Sequence, residues 1–130
     1  MNTDRYAVEK EHALLAEIVR LAHEKRLKDG KSGGIGRTAL QKIVYFLKVL
    51  EVPMRYRFDI YTYGPFCASI LTDTEWLEAD EAIVDLSENQ GKASSYSPGE
   101  RVDELLELHR DFLNEHKKLV ENVVKGLATA

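Results

Sequence analysis

The sequence predicts one mostly helical α+β domain, and three observations predict it. Apolar residues recur at spacings of three and four in several separate stretches, the pattern of helices that bury one face. Two other stretches, 58–63 and 82–97, alternate their side chains as short strands do. The length of 130 residues suits a single domain with a core of its own. Its apolar share of 44% and charged share of 31% fit a soluble globular protein. No apolar run is long enough to span a bilayer, and the polar start MNTDRYAVEKEH carries no signal peptide. The expected compartment is the cytoplasm, with no membrane partner. The single cysteine, Cys67, excludes an internal disulfide framework and a cysteine-rich zinc site.

The first helix is expected from about Asp4 to Lys28. Leu14, Leu15, Ile18, Leu21 and Ala22 form its apolar stripe, and Glu17, Arg20, Glu24 and Lys25 its solvated face. His12 and His23 read as surface or edge-of-core histidines. The next stretch, Asp29 to Gly36, is a glycine-rich connector. Gly30-Lys31-Ser32 imitates the end of a phosphate-binding loop, but the required earlier glycine would fall at Lys25. Gly34-x-Gly36-x-x-Ala39 imitates a dinucleotide fingerprint, yet a charged helix precedes it where a buried strand is needed. Neither motif has its context.

The second helix is expected to start after Gly36 and run to about Leu50, with Leu40, Ile43, Val44, Leu47 and Leu50 inward and Pro53 closing it. Phe58 to Tyr63 reads as a short extended segment. Gly64-Pro65 then starts a third helix, since proline suits the first helical position. That helix runs to about Ala79 with Phe66, Ile70, Leu71 and Leu77 inward. Asp73, Glu75, Glu78, Asp80 and Glu81 read as its exposed acidic face, and no Lys or Arg occurs from Phe66 to Gln90. Cys67, near the helix start, reads as packed core, with no neighbouring histidine to serve as a base. Residues 82–87 and 93–97 pair as a hairpin around the turn residues 88–92. A long helix from about Glu100 to Leu127 follows. Leu106, His109, Leu113, His116, Val120, Val123 and Leu127 make a heptad-like seam on it, and Val102, Leu105, Phe112, Leu119 and Val124 a second stripe. Two histidines at His109 and His116 have no carboxylate or cysteine to complete a metal set, and no cofactor or metal is expected.

Helix, helix, helix, hairpin is the order of a winged helix-turn-helix domain, the hairpin being the wing. The expected architecture is therefore a winged-helix-like three-helix core with a small β-hairpin wing and a long C-terminal helix. Residues 1–98 form core and wing, and 99–130 form a helix that packs on the core or in a dimer interface.

Thr38-Ala39-Leu40-Gln41-Lys42-Ile43-Val44-Tyr45-Phe46-Leu47, followed by Tyr63-Gly64-Pro65-Phe66, resembles the Panacea domain family of antitoxin SocA-like proteins and the YwgA-like bacterial proteins. The later Glu78, Ile83 and Tyr96-Ser97-Pro98-Gly99 resemble the end of the same region. The match covers roughly residues 13 to 110, and the loop from Arg55 to Asp59 departs from it in being more basic. The resemblance implies a small helical domain that acts by binding, as an antitoxin or as an adaptor that presents a toxin to a protease. Carried over residue by residue, it marks Gln41, Lys42, Tyr45, Tyr63, Gly64, Pro65 and Phe66 as partner-binding candidates, beside the basic Arg37. The competing expectation is structural: Tyr45 packed on Pro65 as a lock between helix and turn.

Charge separates along the chain. Residues 1–60 carry 12 Lys/Arg against 8 Asp/Glu, whereas residues 61–130 carry 6 against 14. Such polarity suits a charged partner or self-assembly. The function expected is a non-catalytic protein-binding module of a bacterial toxin–antitoxin or defence system, its partner a toxin or regulatory target, with a homodimer through the C-terminal helix as a further option. The alternative is a winged-helix transcriptional regulator. Against it, the acidic third helix would repel DNA phosphates. No paired carboxylates, nucleophile–base pair or metal set suggests an enzyme.

Overall fold

The computed structural model describes residues 7–87 and 93–127. Helix α1 spans Lys10–Lys28, α2 Arg37–Val49, and α3 Ala68–Ala79. Between α2 and α3 lies a hairpin of β1, Asp59–Tyr61, and β2, Gly64–Phe66. After α3 come β3, Ile83–Asp85, β4, Tyr96–Pro98, and three short helices: α4, Val102–Leu108, α5, Arg110–Glu115, and α6, Lys117–Leu127. The result is a mostly helical α+β domain with two small antiparallel hairpins. The expected wing turn, residues 88–92, lies outside the described residues.

Helix α1 is the axis of the fold. Every residue from Glu11 to Val19 is buried, because α1 packs against α2, α3, β4 and all three C-terminal helices. The expectation of one solvated face therefore fails at Glu17, which is only 8% exposed and is held by Arg20 at 2.7 Å. Small residues make this encirclement feasible, since Ala13, Ala16 and Ala22 let neighbours approach closely while Leu14, Leu15 and Ile18 fill the remaining space. Each such leucine or isoleucine contributes about 1.5–3 kcal/mol on burial.

Helices α2 and α3 end in the same way. Glu51 and Glu81 adopt left-handed angles, φ 73° and 61°. The following amides, of Val52 and Ala82, bond back to the carbonyls of Leu47 and Leu77. This closes each helix with a turn that normally takes glycine.

The glycine-rich connector is only partly free. Ile35 and Tyr96 exchange backbone hydrogen bonds of 2.9 and 2.8 Å, which adds a third strand position to the β3–β4 hairpin. Gly34 lies so close to β4 that a Cβ there would stand 1.8 Å from the Tyr96 carbonyl oxygen. Glycine at this position is a packing requirement.

The C-terminal segment departs from the expected single helix. It breaks at His109 (φ −129°, ψ 36°) and again near His116. At the first break His109 Nε2 donates to the Val8 carbonyl oxygen at 2.7 Å, which ties the joint to the start of the chain. The two bends wrap the segment around α1 and α2, so residues of both apolar stripes pack on the core. A straight helix would leave one stripe outside.

Candidate functional site

The Gly64-Pro65 junction is built differently from the expected helix start. Tyr61 and Gly64 close a hairpin whose two-residue turn is Thr62-Tyr63, and Pro65 pairs with Ile60 in the middle of β2. Gly64 has φ +119°, an angle open to glycine alone in practice. Proline is tolerated because its missing donor belongs to a two-stranded ribbon with, among the described residues, no further strand beside it. The helix begins only at Ala68, with Cys67, buried, as the flanking residue.

Gln41, rather than Tyr45, locks α2 to this hairpin. Its side-chain amide donates to the Cys67 carbonyl at 3.0 Å, and its carbonyl accepts the Cys67 amide at 2.8 Å. Both bonds are buried, so the pair acts as a short piece of ladder between helix and strand. Tyr45 instead stacks edge-on against Phe46 and Phe58, with ring centroids 5.8 and 5.5 Å away.

The remaining candidates converge. Arg37, Thr38, Gln41, Tyr63, Pro65, Phe66 and Leu71 line one cleft of about 200 Å³ between α2, β2 and the start of α3. Lys42 stands beside it, its Cε 3.6 Å from where a Gly64 side chain would begin. Arg37 is exposed at the mouth, where its Nε donates to the Tyr96 hydroxyl at 3.1 Å. Tyr63 lies 63% exposed at the hairpin tip and stacks on Tyr61 with centroids 5.4 Å apart and planes 5° from parallel. Phe66 meets Tyr61 edge-on at 6.1 Å. Ile60 of the same hairpin is 66% exposed, and at the end of α2 Phe46, Val49 and Leu50 are exposed as well, Leu50 against the expectation that it faces inward. Structure thus brings together seven of the eight predicted residues, with Tyr45 turned toward Phe58.

A second cluster escaped the sequence reading. Asp73, expected on the solvated acidic face, is 5% exposed. The Tyr56 hydroxyl donates to its Oδ2 at 2.6 Å and Arg55 to the same oxygen at 2.7 Å. His12 Nε2 stands 3.2 Å from Oδ1, off a good hydrogen-bonding line. The other ring nitrogen of His12 accepts the Glu9 amide at 3.0 Å, which places the proton on Nε2. Burial alone would raise the Asp73 pKa, but its contacts with His12, Tyr56 and Arg55 outweigh that and hold it low. Burial and the adjacent Asp73 push the Tyr56 phenol far up. Arg55 also bonds Glu9 and, through its amide, Glu11. The inner members of the cluster, His12, Tyr56 and Asp73, are buried between α1, α3 and the loop at Arg55, while Arg55 and Glu9 close it at the surface, so it joins these elements. Asp80 is likewise buried, accepting the Ala7 amide at 2.6 Å. The outward face of α3 is accordingly less acidic than expected, with Glu75 and Glu78 beside an exposed Trp76.

No family model matches the chain, and no curated protein matches it. Among the described residues, no helix is long and apolar enough to cross a membrane.

Proposed function

We propose that this chain is a non-catalytic protein-binding module, of the antitoxin or proteolytic-adaptor kind that its Panacea-like motifs suggest, and that the β1–β2 hairpin is its contact surface. The observation that carries this reading is the exposure of Ile60, Tyr61 and Tyr63 on one preformed hairpin, with the two tyrosines stacked at its tip. Aromatic side chains on a preformed turn are the residues that dominate interface energies, and a monomer gains nothing by exposing them. Co-purification from the native host tests it. A neighbouring gene's product should be recovered in stoichiometric amount with the wild-type chain and lost when Tyr61 and Tyr63 are both changed to Ser. Equal recovery with that double variant would sink the assignment of the surface.

The winged-helix reading keeps a second function in view. Its support is the β3–β4 hairpin after three helices, extended by Ile35 from between α1 and α2, together with the inward turn of Asp73 and Asp80. Against a DNA-reading role, α3 still carries no cation. A gel shift at low salt separates the two readings: retardation of duplex DNA favours the regulator, and none favours the protein module.

A further inference from the structure

We propose that the cleft between α2, β2 and α3 receives an acidic peptide segment of a partner protein. One aromatic or leucine side chain would seat against Pro65, Phe66 and Leu71, with a flanking carboxylate on Arg37. The proposal rests on the protein-binding reading above and adds the chemistry of what is bound.

Size sets the first limit. About 200 Å³ lies below the range of small-molecule and cofactor sites and suits one large side chain. The lining sets the second: proline and aromatic faces surround the space, while Arg37, Thr38 and Gln41 form its polar side. Gln41 is already spent on Cys67, so orientation of a ligand falls to Arg37. Its Nε is fixed by the Tyr96 hydroxyl, and among the described residues no bond occupies its terminal nitrogens. A guanidinium anchored through Nε presents those two nitrogens as a planar fork, which matches a carboxylate. Lys42 supplies a second cation on the hairpin side. The acidic groups within reach of Arg37 are Asp85 and Glu78; the Asp85 carboxylate is taken up by Ser87 and Ser95, and among the described residues neither group pairs with Arg37. The open side of the Arg37 fork, with Lys42 near the hairpin, is therefore the group left to meet a ligand, and it calls for a carboxylate.

The cleft is also ready-made. The Gln41–Cys67 pair holds β2 on α2, and the Tyr61–Tyr63 stack holds the tip, so binding orders little further backbone. A peptide fits these features better than single-stranded nucleic acid. Two cations are few for a phosphate chain, and each stacked tyrosine has spent one ring face on the other.

Selection of random twelve-residue peptides displayed on phage, against the full chain, tests this. Enriched peptides should share an aromatic or leucine residue beside at least two carboxylates. Synthesised and labelled, they should bind at least tenfold more weakly to Arg37→Glu and to Tyr63→Ala, with circular dichroism of both variants unchanged. Replacing the acidic residues of the peptide by lysine should restore binding to Arg37→Glu. Enriched peptides that are neutral or basic, or that ignore both variants, would overturn the cleft while leaving a protein-binding module intact. Tight binding of a twelve-nucleotide oligothymidylate that displaces the peptides would overturn the peptide and give the surface to nucleic acid. A fall from dimer to monomer mass in Tyr63→Ala by light scattering would assign it to a second copy. Failure to enrich any peptide, with no co-purifying neighbour, would remove the underlying reading as well.

Discussion

Arg55 with Tyr56 and Arg37 with Tyr63 are the same pair of residue types in opposite situations. The first pair is satisfied by partners within the chain: both side chains converge on one buried oxygen of Asp73, with Glu9 and Glu11 completing the shell around the partly exposed Arg55. In the second, Tyr63 stacks on Tyr61 but lies mostly in solvent, and Arg37 spends one nitrogen of three. Polar and aromatic groups that fold a protein are partnered within it, whereas groups that serve an interface wait for their partner. Substitutions in the two regions should accordingly move different measurements.

The largest effect is expected from Asp73→Ala. It leaves the buried Tyr56 hydroxyl and the inner side of Arg55 without their acceptor, and removes the carboxylate beside His12. Breaking a buried charged network of this kind costs about 3–5 kcal/mol, which for a domain of this size lowers Tm by roughly 10–15 °C. Once folded at low temperature, the variant should still capture the partner. Loss of capture by folded protein would break the separation between the two regions.

Gln41→Leu comes next and probes the boundary between them. Its apolar size is similar, but the Cys67 amide and carbonyl lose their partners in a buried place, at a cost of about 2 kcal/mol. Because this pair positions β2, partner affinity should fall along with stability. A stable variant with normal affinity would show that the hairpin holds its shape unaided.

How much of this was legible in the sequence depends on the distance over which each feature is decided. Helix α2 was read to within a residue because Leu40, Ile43, Val44 and Leu47 carry its period locally. Gln41, Tyr63, Pro65 and Phe66 were singled out by motif and Arg37 by its charge, but that they line one cleft depends on how the hairpin lies on α2, which no local pattern states. The β1–β2 hairpin was missed because Gly-Pro opens a helix and closes a hairpin equally well. A signal was present in the alternation through Phe58, Ile60 and the two-residue turn before Gly64. Asp73 was misplaced because its partners lie on α1 and in the loop at Arg55, far outside any helical window. Yet it stands in phase with Ile70 and Leu77, so its inward position could have been read from the stripe. The breaks at His109 and His116 had no such trace, since the apolar spacing runs through both. Curvature there is imposed by wrapping onto α1 and α2.

Acid sharpens the comparison further. Asp73 in the folded chain titrates below its unfolded value of about 3.9. Asp85, which burial would raise, is brought to about 2 by the Ser95 and Ser87 bonds to its carboxylate. For groups depressed on folding, the stabilisation is complete above the unfolded pKa and is lost as pH falls through the folded one. Stability should therefore be level above about pH 5 and decline between about pH 4 and 2. In denaturant titrations across that window, Asp73→Asn should flatten the slope. An unaltered slope would mean that the carboxylate is not ionised in the fold.

The smallest change in stability, and the most decisive for function, belongs to Tyr63→Ser. Tyr63 sits at a turn tip with most of its surface in solvent, so its removal forfeits little burial beyond the stack on Tyr61. Surface changes of this type stay within about 0.5 kcal/mol, and urea midpoints should barely move. If the hairpin is the contact, the same substitution removes a rigid aromatic anchor from the centre of an interface, where such residues are worth about 2 kcal/mol or more. Partner affinity should then drop at least thirtyfold while the fold remains intact. A substitution that is silent in stability and large in binding is the behaviour that a satisfied structural tyrosine such as Tyr56 cannot produce. Its hydroxyl and ring are both committed inside, and any change there is felt first by the fold.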